Sequence, residues 1–183
     1  MELFTPRLAL REFRPSDFDA VHAYETNPET RRYEQVAIAT AEETRRYLDD
    51  SQAWAQEQPR TRYRLAITIR PAGAAHGRIS LALNWPEIRE WEVGWTVDPQ
   101  FWGHGYATEA ARAAVRFGFE DVGLDEIVSF TVPANARSRA VMERLGITRD
   151  PADDFDHPRL PVGHPIRRHV LYRLRREGWL ARG

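Results

Sequence analysis

Residues 100–110 read QFWGHGYATEA: Gly103 and Gly105 stand two apart, no lysine accompanies them, and the tail from Tyr106 is built of helix formers. Such a stretch is either a tight turn into a helix or a place where main chain approaches a ligand closely. Its surroundings decide the weight of each reading. Before it, Trp91, Val93, Trp95 and Val97 alternate with Glu92, Gly94 and Thr96, the period of a strand over 91–97. Gly94 in mid-strand predicts a bulge or a close backbone approach. After it, Ala107, Ala111, Ala114, Val115 and Gly118 recur at helical spacing over 105–119, a small-residue stripe able to lie close on a sheet. A strand over 127–132 follows, ended by Pro133. Strand, glycine loop, helix start and next strand together aim unpaired backbone N–H groups and the positive end of a helix dipole at one spot. That spot suits a pyrophosphate. Four or five such bonds at roughly 1–2 kcal/mol each account for most of a micromolar affinity of about 8 kcal/mol.

The remainder of the chain reads outward from this unit. Residues 8–13 alternate as a strand before Pro15, and Ser16 opens a helix with Phe18, Val21 and Tyr24 on one face, stopped at Asn27-Pro28. Thr40 and Glu43 have capping-box spacing and start a second helix, running to about Gln58 with Tyr47 and Leu48 inward. Tyr63, Leu65, Ile67 and Ile69, then Ile79, Leu81 and Leu83, form a hairpin about the turn PAGAAHG. Asn135 caps a short helix over 136–145 ended by Gly146, residues 150–165 are a proline-rich loop, and 167–174 form the last strand. The order β-α-α-β-β-β-α-β-α-loop-β, without repeats or linker, predicts one mixed α/β domain over residues 1–183.

Composition removes several function classes. The net charge of −1 gives no electrostatic footprint for nucleic acid. No cysteine is present, which excludes disulfides, thiolate metal sites and a cysteine nucleophile. No signal-peptide pattern or membrane-length apolar run occurs, so a cytoplasmic protein with no membrane partner is expected. All 26 basic residues are arginine, so neither a P-loop lysine nor a Schiff-base lysine is available. His157, His164 and the aspartates of 150–156 have no ligand spacing, and no metal site is expected.

Gln100-Phe-Trp-Gly103-His-Gly105 lacks the third glycine of the dinucleotide fingerprint, where Thr108 stands, and lacks GKS or GKT. It resembles the Q/R-x-x-G-x-G/A acyl-CoA pyrophosphate loop of the GNAT superfamily of N-acetyltransferases. Asn135-Ala-Arg-Ser138 through Leu145-Gly146-Ile147 resembles the N-x-x-S…L-G-F segment of the RimJ/RimL branch, the ribosomal-protein N-terminal acetyltransferases. Thr5-Pro-Arg7-Leu-x-Leu-Arg11 and Asn27 to Tyr33 are similar to that branch's first strand and acceptor-side loop. The resemblance implies a mostly antiparallel twisted sheet with a splayed parallel strand pair, flanked by about four helices. It also implies direct acetyl transfer from acetyl-CoA to a primary amine through a tetrahedral intermediate, without an acyl-enzyme or a metal. The expected acceptor is a protein or peptide N-terminal α-amine. A small-molecule amine, of aminoglycoside or polyamine type, and a non-catalytic acyl-CoA-binding sensor stay open beside it, as do monomer and homodimer.

Carried onto this sequence, the pantetheine arm is expected along the strand backbone of Trp95, Thr96 and Val97. The pyrophosphate is expected on loop amides from Trp102 through Gly103, His104, Gly105, Tyr106, Ala107 and Thr108, with Gln100 opening the motif and Asn135 and Ser138 reaching the arm. Glu92 is the candidate general base, directly or through water, and a strand carboxylate paired with arginine reads equally well. Asn135 is equally a plain helix cap. Ser138 is the branch's candidate donor to the thioester or thiolate, and a solvated helix hydroxyl is the other reading. The tyrosine many relatives carry four residues before the glycine is here Met142, so either Ser138 or water protonates the leaving sulfur, or thiolate departs unaided. Asp153, Asp154 and Asp156 are expected to line the acceptor side and attract a cationic amine.

Overall fold

The computed structural model describes residues 1–34, 40–71, 73–83 and 90–181. Parts of the loop after Tyr33, of the turn at 71–76 and of the WPEIRE stretch lie outside them. The elements are β1 (Glu2–Phe4), β2 (Leu8–Glu12), α1 (Phe18–Glu25), α2 (Pro28–Arg31), α3 (Ala41–Ala55), β3 (Arg62–Ile69), β4 (Ala75–Ala82) and β5 (Glu92–Val97). There follow α4 (Tyr106–Glu120), β6 (Glu126–Thr131), α5 (Ala136–Leu145), β7 (Thr148–Arg149), β8 (Phe155–Asp156), β9 (Arg168–Arg175) and α6 (Arg176–Leu180). The sheet runs β1-β2-β3-β4-β5-β6-β9-β7, with β8 on β9. Every pairing is antiparallel except β5 with β6. The strand expected first is therefore the second in order, because Glu2–Phe4 folds back on it. Asn27-Pro28 does not only stop a helix but also opens one: the Asn27 side chain accepts from Glu29 N–H and Pro28 takes the first turn, where no donor is needed. With α2 and α6 the described helices number six, against the four expected.

The parallel pair positions the site. β5 and β6 are each six residues long, yet they share one register position, Glu92 opposite Val128, with Val128 N–H donating to Trp91 O at 2.8 Å. Beyond it the strands part, so from Val93 to Val97 the edge of β5 that faces β6 has no ladder partner. Gly94 carries no bulge: β4 and β5 stay in unbroken register from Gly77–Val97 to Ala82–Glu92, and the irregularity lies between Ala66 and Thr68 of β3. A Cβ on Gly94 would meet Ser80 Oγ at 3.3 Å and Glu92 Oε1 at 3.5 Å, so of the two predicted outcomes the close approach is the one observed.

The two sheet faces differ. One buries Leu8, Leu10, Leu65, Ile67, Ile79, Leu81, Val93 and Val97 under α4 and α5. Gly118 lets α4 come this close, since a Cβ there would lie 2.8 Å from Ile127 Cδ1 and 2.9 Å from Leu81 Cδ2. The other face carries Arg78, Thr96, Ser80, Gly94 and Glu92 as cross-strand neighbours and packs α1 and α3 through Val21, Tyr24, Tyr47 and Leu48.

Candidate functional site

Loop 98–105 is shaped by its own polar groups. Asp98 caps a one-turn 3-10 helix over Pro99–Phe101 by accepting from Gln100 N–H at 3.0 Å, and Trp102 N–H closes that turn on Pro99 O at 3.2 Å. The Trp102 indole N–H donates to Val97 O at 2.7 Å, tying the loop to the end of β5. Gly103 and Gly105 then take φ of +81° and +78°, a region that costs other L-residues about 1–2 kcal/mol each. His104 between them turns its Nδ1 to Trp102 O at 2.9 Å and stacks on Tyr106. Two carbonyls lie near that nitrogen, so Nδ1 carries the proton.

Gly105 is the N-cap of α4 and offers no side chain to cap it. Phe101 and Trp102 N–H are engaged within the turn, and the first helical bond is Glu109 N–H to Gly105 O. The N–H groups of residues 103–108 donate to no described residue. Six consecutive donors at the start of a 15-residue helix therefore remain open, where the helix dipole is positive. Of the loop amides expected to meet a pyrophosphate, that of Trp102 is engaged within the protein. Gln100 is exposed, and its side chain makes no hydrogen bond to a described residue.

The loop is held from outside by residues that sequence reasoning placed only as a strand motif. Glu109, on the first turn of α4, accepts from Thr5 Oγ1 at 2.6 Å, Arg7 N–H at 2.9 Å and Arg7 Nε at 2.6 Å. Arg7 Nη1 donates to His104 O at 2.9 Å, and its guanidinium lies 4.8 Å over the Tyr106 ring. Partial burial raises the Glu109 carboxyl, but the Thr5 and Arg7 hydrogen bonds more than offset it and hold the group below its ordinary value.

Across the gap, Asn135 caps α5: its Oδ1 accepts from Ser138 N–H at 3.2 Å and its Nδ2 donates to Thr131 Oγ1 at 3.1 Å. The cap reading is therefore realised. Ser138 is half-buried, and its hydroxyl has no hydrogen-bond partner among the described residues. It lies one turn before Met142 on the same helix face, and Met142 is fully enclosed in the core. Arg137, also on the first turn of α5, stacks over the Trp102 ring at 4.1 Å, so α5 and the loop after β5 meet across the mouth where β5 and β6 part.

The opposite sheet face is polar. Glu92 projects on it beside Gly94. Thr96 is buried there, its hydroxyl donating to Glu34 Oε1 at 3.3 Å. Arg78 stands between Glu25 at 2.9 Å and Glu34 at 3.2 Å. Burial raises the Glu25 carboxyl against the opposing pull of Arg78, and burial pushes the Tyr47 hydroxyl up to about 12. Glu34 is not singled out by the sequence, although it follows directly on the Asn27–Tyr33 segment.

The aspartates of the proline-rich loop do not offer open charge. Asp153 pairs with Arg173 at 2.7 Å, Asp154 with Arg149, and Asp156 with Arg167 at 3.2 Å and Arg168 at 3.4 Å. Each is ion-paired, Asp153 with an Arg173 that it shares with Glu90 and Glu126, so none stands as the lone charge expected to attract an amine. Among the described residues no cluster of three or more His, Asp or Glu is placed to hold a metal ion, and no helix is long and apolar enough to cross a membrane.

Residues 7–148 match the acetyltransferase (GNAT) domain family. An uncharacterised N-acetyltransferase of Bacillus subtilis, YnaD, is 26% identical over 179 residues, covering 98% of this chain and 99% of its own. The FsC-acetyl coenzyme A-N(2)-transacetylase of Aspergillus fumigatus is 43% identical over 91 residues, which are 49% of this chain and 37% of that protein. A crystal structure of a GNAT-family acetyltransferase from Bacillus anthracis superposes with a TM-score of 0.80 at 26% identity, covering 97% of this chain and 99% of that one.

Proposed function

The chain belongs to the GNAT acetyltransferase family, and from that premise we propose that it transfers the acetyl group of acetyl-CoA directly to a protein or peptide N-terminal α-amine. The observation that carries the donor half is the run of six open N–H groups at residues 103–108. Donors fixed before the ligand arrives, on two left-handed glycines, fit a pyrophosphate without any lysine. Acetyl-CoA supplies the activated acyl thioester. The pantetheine arm would lie along the edge of β5 that β6 leaves unpaired, at Val93 and Trp95 and up to Val97, whose carbonyl is held by the Trp102 indole, with Asn135 and Ser138 at the far wall of the gap.

For the acceptor half, Glu92 and Glu34 put two carboxylates on the face reached through the parted strands. In this reading Glu92 takes a proton from the attacking amine, a modest demand for an α-amine with a pKa of about 8. Met142 is enclosed and has no proton to give, so in this reading the Ser138 hydroxyl donates a hydrogen bond to the leaving sulfur, which departs as thiolate and takes its proton from water. A thiol's solution pKa of about 8.5 keeps that requirement small. The α-amine is favoured by the similarity of residues 5–11, 27–33 and 135–147 to the RimJ/RimL branch. A small-molecule amine is the second reading, favoured by the match to the N(2)-transacetylase.

The test is a mass-shift screen of N-terminal peptides and small amines with acetyl-CoA. Acetylated peptide α-amines support the first reading, and acetylation confined to small amines replaces it with the second. In the same assay Glu92→Gln lowers kcat by about a hundredfold or more while CoA affinity holds, and full turnover in that variant would remove Glu92 as the base.

A further inference from the structure

We propose that Arg7 is a positioning residue for the glycine loop: from the start of β2 it sets the orientation of the His104–Gly105 peptide and so aims the loop's donors. This rests on the pyrophosphate reading of residues 103–108. Thr5 and Arg7 flank Pro6 immediately before Leu8, which is fully buried and paired with Ile69, so the clamp stands on the rigid part of the sheet. Thr5 is fixed in turn by Thr5 N–H to Leu8 O at 3.0 Å and Leu8 N–H to Thr5 Oγ1 at 2.8 Å.

Three consequences follow from the geometry. First, the carbonyl and N–H of a trans peptide point in opposite directions, so holding His104 O on Arg7 Nη1 at 2.9 Å turns Gly105 N–H the other way, among the open donors. Second, a carboxylate on the first turn of α4 favours the helix but repels a phosphate nearby; the Arg7 guanidinium on Glu109 Oε2 at 2.6 Å cancels that charge. Third, a Cβ on Gly105 would lie 3.5 Å from Arg7 Nη2, so the guanidinium walls the loop on the side away from the ligand. Arg7 touches neither donor nor acceptor in this account. A lysine there keeps the charge but has no planar fork to reach Glu109 and His104 together.

The test compares acetyl-CoA with S-acetylpantetheine, which carries the same thioester and no pyrophosphate, in wild type, R7Q, R7K and the distant surface control R116Q. R7Q raises the acetyl-CoA Kd by about ten- to a hundredfold, the range for one charge-assisted hydrogen bond, and leaves S-acetylpantetheine unchanged. R7K recovers part of the loss, and R116Q matches wild type. Equal weakening of both ligands would make Arg7 a structural staple only, and weakening of neither would also overturn the proposal. Should R7Q fail to fold by its thermal melt, the ratio between the two ligands in R7K decides in the same way. A wild-type protein that binds both ligands alike would instead remove the pyrophosphate cradle itself.

Discussion

Helices α3 and α4 are both 15 residues long, and they begin in opposite ways. At α3 the Thr40 side chain accepts from Glu43 N–H at 3.2 Å while Glu43 Oε2 accepts from Thr40 N–H at 2.9 Å, so side chains of the helix start close two of its donors reciprocally. At α4 the cap is a left-handed glycine without a side chain, the preceding residues are also held away from a capping role, and the donors stay open. A glycine cap forgoes roughly a few tenths of a kcal/mol of stability relative to Ser, Asn or Asp. The difference teaches where to look in the chain: a helix whose first turn is satisfied by its own sequence is scaffold, and one left open beside a parted strand pair is prepared for an anion.

The largest effect is expected from breaking the open start. Gly103→Ala combined with Gly105→Ala forces two side chains into positive φ, at about 1–2 kcal/mol each. CoA affinity, followed by calorimetry, should fall by about a hundredfold or more as the loop relaxes out of this conformation. Unchanged affinity would mean the loop does not contact the ligand. Breaking the closed start should do the reverse: Thr40→Ala costs about 1 kcal/mol and lowers Tm by roughly 2–4 °C, with CoA affinity untouched. A loss of affinity in that variant would erase the contrast between the two helices.

The smallest effect is a pH dependence at Glu109. Its folded value lies below its unfolded one, so its contribution to stability is present above the ordinary carboxylate range and is lost as pH falls through the folded value. Wild type should therefore melt above Glu109→Gln at neutral pH, and the difference should close in acid, below about pH 4. A gap that is the same at every pH would show that charge plays no part.

The contrast also marks what could be read in advance. Thr40 and Glu43 lie three apart, and the alternation over 91–97 and the glycines at 103 and 105 are local patterns, so these elements and the glycine loop between them were legible from short windows. The clamp was not: Arg7 and Glu109 are separated by 102 positions, and the Thr5-Pro-Arg7 motif marks a strand without saying what its arginine reaches. Gly94 left two outcomes open because mid-strand glycine is consistent with either a bulge or a close approach, and only the register with β4 separates them. The aspartates of the proline-rich loop misled for a related reason: their charge looked open until β9 and the Arg149 side chain came alongside. Ionic partners across a sheet depend on topology, which pairwise spacing does not encode.

The central claim is that α4 begins with donors left open for the CoA pyrophosphate. Residue-resolved amide NMR during a CoA titration tests it most directly. The account predicts large shifts and slowed hydrogen exchange at Gly103, His104, Gly105, Tyr106, Ala107 and Thr108, with Glu43 and Thr44 at the start of α3 unmoved. Saturating CoA binding that leaves those six amides unchanged would contradict it.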